Sequence, residues 1–206
     1  MSTFLEMQQR IADDLNRTDL TAQIKKAINR AIRFYQKEPF WFKETSATFN
    51  TVAAQKTYTT TDTSITDIDR IHFMRAVINS AIYKITEKPL SFIENRNPNF
   101  AQGIIRYYAW WANTIYFYLV PNQIWTVTIY YTKKYTDLSA DSDTNDWTTY
   151  AEDLIESRAR AWLYSRILKD QANAVMAQAE EEQNLQALRD ISEGYVAEAR
   201  IPATIF

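Results

Sequence analysis

From Ile104 to Tyr131 the chain carries bulky apolar or aromatic side chains on both faces of nearly every strand it could form, and this restricts the fold more than any other feature. Ile104-Ile105-Arg106-Tyr107-Tyr108-Ala109-Trp110-Trp111, a turn at Asn113, Thr114-Ile115-Tyr116-Phe117-Tyr118-Leu119-Val120, then Pro121-Asn122 and Ile124–Tyr131 read as an antiparallel meander. In the last strand Trp125, Val127, Ile129 and Tyr131 share one face, opposite Thr126, Thr128 and Tyr130. In the two strands before it both faces are apolar or aromatic. An antiparallel sheet of that kind needs cover on both sides. The chain's own helices are expected to cover one face, and a neighbouring subunit the other. Eleven of the 29 aromatic residues lie between Tyr107 and Tyr135, so the bulk of the packing material is concentrated here.

Several function classes are excluded early. Two glycines, Gly103 and Gly194, are too few for a phosphate-cradling loop, whose backbone amides must approach an anion closely. With no cysteine there is no disulfide framework, thiolate metal site or cysteine nucleophile. A single histidine, His72, rules out multi-histidine metal sites. Met1–Leu15 is polar and charged rather than signal-like, and no apolar run approaches a membrane span of about 18 residues. Synthesis and use in a cytosol are expected. At 206 residues, 46% hydrophobic and 23% charged, the chain is long enough for one sizeable core or two small ones. A net charge of −2 leaves no overall basic footprint for nucleic acid. The charge is graded: Met1–Glu44 has eight basic and six acidic residues, Thr45–Thr149 nine of each, and Tyr150–Phe206 six basic and ten acidic.

The hydrophobic period changes twice. Phe4, Leu5, Ile11, Ala12 and Leu15 fit one face of a short helix. Thr18 is expected to cap a second helix, with Asp19 favoured by its dipole, and Ile24, Ala27, Ile28, Ala31, Ile32 and Tyr35 make its stripe. Pro39 stops it, and Phe40-Trp41-Phe42 form an aromatic anchor at the exit. From Thr45 the period is two. Thr45–Thr51 and Lys56–Thr60 read as strands around a turn near Ala53-Ala54-Gln55, Ile65–Met74 as a strand with a bulge, Val77–Ile85 as a further strand, and Leu90–Asn95 as a helical turn. After an acidic loop, Leu138–Asp146, Asn145 or Asp146 caps a helix opening at Trp147. Its stripe is Trp147, Tyr150, Ala151, Leu154, Arg158, Ala161 and Trp162, widened by Ile155, Ala159, Leu163 and Ile167. A polar rod with Leu185, Leu188, Ile191 and Tyr195 follows. The fold class expected is α+β: a helical bundle from residues 1–44 and 147–200, a central antiparallel β-rich insertion over 45–146, and an extended tail over 201–206.

No constellation carries catalysis. Asp141, Asp143, Asn145, Thr149 and Glu152 sit at calcium-loop positions, but Asp146 stands where the sharp turn needs glycine, so a solvated loop ending in a helix cap is the better reading. Asp62, Asp67 and Asp69, or Glu180, Glu181 and Glu182, are read as solvated faces rather than paired acids. His72 has no serine or acid companion. Tyr107, Tyr108, Trp110, Trp111 and Trp125, with Arg106, Lys133 and Lys134, could make a stacking platform for single-stranded nucleic acid, but they alternate between faces, so core and subunit interface is preferred. No catalytic, cofactor or metal residue is assigned.

The order of these elements resembles a known family. The helix Ile24-xx-Ala27-Ile28-xx-Ala31-Ile32-x-Phe34-Tyr35, its exit at Phe40-Trp41-Phe42, a threonine-rich hairpin, Tyr116–Asn122, the strand Ile129-Tyr130-Tyr131 and Asn145-Asp146-Trp147 before closing helices are similar to the SU10-type head-to-tail adaptors of short-tailed bacteriophages. They are more distantly similar to tubular tail protein A of T7-like phages. Members often have glycine where this chain has Ala54 and Asn113. The resemblance implies a structural, non-enzymatic protein of the virion neck, made in the host cytoplasm. It implies a ring, typically of twelve copies, between the portal and the tail nozzle, through which double-stranded DNA passes without specific binding, with no cofactor and no membrane. Partner contacts are expected at the tail residues Ile201, Pro202, Ile205 and Phe206, and at Trp110, Trp111, Tyr116 and Tyr118 of the meander. The alternative is a single-stranded nucleic-acid-binding module using the aromatic sheet.

Overall fold

The computed structural model describes residues 1–78, 80–96 and 99–200 and is α+β, with seven α-helices among the described residues. The chain divides into two compact units, Met1–Lys43 with Tyr135–Phe206, and Glu44–Lys134.

In the first unit, α1 (Phe4–Asp14) opens with a reciprocal cap. The Thr3 hydroxyl accepts from the Glu6 amide, and the Glu6 carboxylate accepts from the Thr3 amide. Phe4, Met7 and Ile11 turn inward, whereas Leu5, expected on that face, is exposed because Met7 fills the i+3 position of the stripe. In α2 (Thr21–Tyr35) the stripe is buried as read, from Ile24 to Tyr35. Thr18 does not cap this helix. The N-cap is Leu20, without a side-chain bond, since Leu20 is drawn into the core and Asp19 is held by two hydrogen bonds from the Arg17 guanidinium, each 2.7 Å. The aromatic exit is a core anchor: Phe40 and Phe42 are buried, edge-on to Trp147 at 5.7 and 5.1 Å. Beside them Lys43 is fully buried and donates to the carbonyls of Gln36 and Glu38, filling acceptors that the end of α2 leaves open.

The second unit is a seven-stranded mixed sheet. Its strands are β1 (Glu44–Asn50), β2 (Thr57–Thr59), β3 (Ile68–Ile78), β4 (Ala81–Glu87), β6 (Tyr107–Trp111), β7 (Thr114–Tyr118) and β9 (Thr126–Lys133). The short β5 (Gln102–Gly103) and β8 (Val120–Pro121) pair apart from it. Two short helices, α3 (Thr60–Thr63) and α4 (Leu90–Arg96), interrupt the strands. The order is β1-β9-β3-β4-β6-β7-β2. Three expectations change here. β1 and β2 do not form a hairpin, because β1 pairs with β9 and β2 with β7. Ile104–Tyr131 is not a meander, since only β6 and β7 are a hairpin and β9 lies between β1 and β3. Val77 and Ile78 belong to β3, which runs past Met74 before the chain turns into β4. The bulge in β3 is present as register shifts between Ile68 and Arg70 and between Ile71 and Phe73.

The sheet curls, so that Phe49 of β1 meets Tyr58 of β2 at 5.4 Å and Phe117 of β7 at 6.5 Å across its inner face. Inner-face cover therefore comes from the sheet itself: the core is built of residues such as Met74, Tyr108, Ile115, Phe117, Val127 and Ile129, all from this unit. The β6–β7 turn places Ala112 at φ 48° and Asn113 at φ 58°, and Ala54 sits at φ 66°. These left-handed positions suit glycine, yet this chain holds them with alanine and asparagine.

After the sheet, the loop Leu138–Asp146 clips the helices together. The Asn29 amide group brackets Leu138, donating to its carbonyl and accepting from its N–H at 2.9 and 2.8 Å. The first amides of α1, on Phe4 and Leu5, donate to the carbonyls of Asp143 and Asp141. Asn145 then caps α5 (Asp146–Tyr150), accepting from Trp147 and Thr148. Asn145→Ala is expected to cost about 1 kcal/mol, read as a lower midpoint in urea denaturation at unchanged slope. The single long helix expected from Trp147 is broken at Ala151, where φ is −136°, before α6 (Glu152–Leu163) and a π-helical turn, Tyr164–Leu168. Each break changes the phase of the stripe, so Tyr150 and Ile167, expected inside, are exposed. α6 packs against α2 and α7 (Gln171–Arg200). At 1.5 Å per residue α7 is a rod of roughly 45 Å.

Candidate functional site

Hydrogen-bond pairing along β6 and β7 sorts the aromatics that sequence put forward. Trp111, Tyr116 and Tyr118 stand on one sheet face with Tyr107, because Tyr107 is opposite Tyr118, Ala109 opposite Tyr116 and Trp111 opposite Thr114. Trp110 points to the other face and packs on the core with Ile115 as its partner. Three of the four are thus brought together and one is not. Trp111 is 61% exposed, whereas Tyr116 and Tyr118 are half-buried. A short helix covers part of this face: the Phe92 ring lies 5.5 Å from Tyr107 and 6.2 Å from Tyr118, with the Lys88 ammonium 5.7 Å from the Tyr107 ring. Beside it a groove of about 850 Å³ is lined by Lys88, Leu90, Glu94, Ala109, Trp110 and Trp111, among others. Ile201, Pro202, Ile205 and Phe206 lie outside the described residues.

The aromatics proposed as a nucleic-acid platform do not share a surface. Tyr108 and Trp125 are buried, and burial pushes the Tyr108 phenol well above the ordinary tyrosine range. A different pair, which the sequence does not single out, stands together: Phe73 and Tyr130 stack at 4.3 Å on the outer face of β3 and β9, with the Arg75 guanidinium 5.4 Å from the Tyr130 ring. The alternation of β9 hints at it by placing Tyr130 among threonines. The bulge in β3 hides which of its residues stands opposite.

The carboxylates have occupations within the chain. Asp143 accepts from the amides of Ser139 and Ala140, which hold its carboxyl below the usual range. Asp141 pairs with Lys25 at 2.8 Å. Asp62 completes the cap of α3, and Asp67 accepts from the Tyr131 hydroxyl at 2.8 Å. Among the described residues no group of three or more His, Cys, Asp or Glu is gathered as a metal site would be. Glu181 corrects the reading of Glu180–Glu182 as a solvated face: its carboxylate accepts from both the Tyr35 hydroxyl and Arg158, and its side chain is only 14% exposed. Arg158 in turn lies 3.4 Å above the Phe34 ring. His72 is exposed on the outer sheet face, 2.7 Å from the Thr132 hydroxyl.

Two units with separate cores carry exposed aromatic and charged side chains, and the acids described above make contacts within the chain. The sequence model of the SU10 adaptor protein family matches residues 2–203. The chain belongs to that family. Membership in the SU10 adaptor family gives it a structural role as a phage adaptor. No curated protein sequence matches the chain. Among the described residues of this family member, no helix is long and apolar enough to cross a membrane.

Proposed function

We propose that the chain is the head-to-tail adaptor of a tailed phage, assembling as a ring, typically of twelve copies, that joins the portal to the tail nozzle. The family match over residues 2–203 carries this reading. The helices of the two chain ends act as a bundle packed around the ring. The exposed Trp111, with Tyr116 and Tyr118 on its face and Trp110 lining the groove beside it, contacts a neighbouring subunit or the nozzle, since apolar surface of this kind marks interaction sites. The segment Ile201–Phe206 docks on the portal. Double-stranded DNA passes through the lumen without specific binding, and a slightly acidic chain suits that passage because it avoids strong phosphate retention.

Light scattering behind a sizing column, on the protein alone and mixed with its cognate portal, tests the assembly. A ring-sized species, or a monomer that joins the portal as a ring, is expected. A monomer indifferent to the portal refutes the adaptor role. Deleting residues 200–206 is expected to abolish portal binding, and unchanged binding refutes the docking role of the tail.

A further inference from the structure

The helical unit presents two faces of opposite charge on opposite sides of α6. At about 100° per residue, Arg158, Trp162 and Arg166 fall on one side of this helix and its π-helical extension, and Asp153, Glu156 and Arg160 on the other. On the first side a cavity of about 190 Å³ lies between α2, α6 and α7. Its charged lining is three guanidiniums, Arg30, Arg158 and Arg166, and one carboxylate, Glu181, over a floor that includes Ala31 and a wall formed by Trp162. Glu181 is already shared by Arg158 and Tyr35. Arg30 and Arg166 are exposed and have no ion-pair partner among the described residues, and Arg30 lies 5.6 Å from the Trp162 ring. The π-helical turn Tyr164–Leu168 carries Arg166, which lines this cavity.

On the second side a cavity of about 260 Å³ reverses this composition, with three carboxylates, Asp153, Glu156 and Glu180, and one guanidinium, Arg160. Arg160 is held by Asp14 and Glu180, and Glu156 by Arg10, so Asp153 is the exposed acid without an ion-pair partner. Each charged face also has an exposed apolar flank. Phe34 and Ile167 adjoin the arginines, and Tyr150 and Ile191 line a groove shared with Asp153.

We propose that these faces meet each other in successive copies of the chain: the arginine cavity of one copy receives the Asp153 face of the next. Lying on opposite sides of one helix, they cannot satisfy each other within a chain. A two-fold contact would set like charge on like charge, which is costly. A head-to-tail contact pairs opposite charges at every junction, and such a contact closes into a ring when its rotation allows. The inference rests on the ring reading above and names the surfaces that would build the ring.

The test uses two surface variants of the full chain, Arg30→Glu with Arg166→Glu, and Asp153→Lys with Gln183→Lys. All four positions are exposed, so both variants are expected to melt like the wild type. By light scattering, alone and on the cognate portal, each variant is expected to lose the multimer. An equimolar mixture should recover assembly, because each variant keeps one intact face and the two reversed faces carry opposite charges. The absence of cysteine allows a second readout. Asp153→Cys and Arg166→Cys chains mixed with a short bismaleimide should cross-link to each other, and neither should cross-link to itself. Variants that assemble like the wild type, or self-cross-linking as strong as mixed cross-linking, overturn the assignment of faces while leaving the adaptor role intact. A wild type that neither self-associates nor joins the portal overturns both.

Discussion

Trp147→Ala is expected to destabilise the helical unit by about 4 kcal/mol, in the range for emptying a buried aromatic site. Trp147 is fully buried where the chain returns from the sheet, and its ring meets Phe40, Phe42 and Tyr135 at 5.7, 5.1 and 6.1 Å. The side chain thus fastens the exit of α2 to the start of α5, two segments about a hundred residues apart in sequence. The rings around it are rigid and already packed against one another, so the site cannot collapse to refill the volume. Trp147→Phe should cost much less, since the indole N–H is buried with no partner among the described residues and contributes no hydrogen bond. Urea denaturation followed by the far-ultraviolet helical signal measures both. A loss below about 2 kcal/mol for the alanine variant would show that neighbouring side chains close the cavity.

That anchor was legible in the sequence, and the reason is local. Phe40-Trp41-Phe42 follows a proline-stopped helix, and Trp147 follows a capping asparagine, so both sets are fixed by signals within a few residues. The α2 stripe is the same case, with six apolar positions at helical spacing all buried. Thr18 shows the limit of such signals. A good capping residue loses its place when the next leucine is worth more in the core than a hydroxyl at the helix start. The stripe from Trp147 onward reads in one phase, but the break at Ala151 and the π-helical turn after Leu163 each shift that phase. Neither break has a proline or glycine to announce it.

The sheet was legible strand by strand but not in its pairing. Alternation locates β1, β6, β7 and β9 because side-chain direction is a property of one strand. Which strands lie side by side depends on contacts far apart in sequence. β9 reads as the third strand of a meander, yet it pairs with Glu44–Asn50 and with Ile68–Ile78. Without that pairing the two-sided apolar character of Tyr107–Tyr118 implies cover by helices and a neighbour, whereas the curl of the sheet supplies the inner cover. For the candidate site the consequence is concrete. Trp111, Tyr116 and Tyr118 share a face, Trp110 does not, and the Phe73–Tyr130 stack could not be foreseen without the register of β3 against β9.

Glu181→Leu is expected to lower stability by about 2–3 kcal/mol. Removing one partner of a buried ion pair costs about 3–5 kcal/mol, and the Arg158 side chain, 28% exposed, recovers part of that from water. The carboxylate serves two donors at once, so its loss strands both the Tyr35 hydroxyl and the Arg158 guanidinium. A glutamate on a solvated helix face would cost almost nothing to replace, so the measurement separates the two views of Glu180–Glu182. The double variant Arg158→Leu with Glu181→Leu should regain part of the loss, because apolar replacement of both ion-pair partners is often neutral while the Tyr35 hydroxyl stays without its acceptor, whereas Arg158→Leu alone should not. The network also has a pH signature. Burial first, and Glu181 second, raise the Tyr35 phenol above its ordinary 10.0, so its contribution is complete below that value and is lost only as pH climbs through the raised one. In Glu181→Leu the stability difference from wild type should therefore be constant across neutral pH and shrink in strong alkali. A single variant as stable as the wild type would return Glu181 to the solvent-facing side of α7 and remove the group that fixes Arg158 beside the arginine cavity.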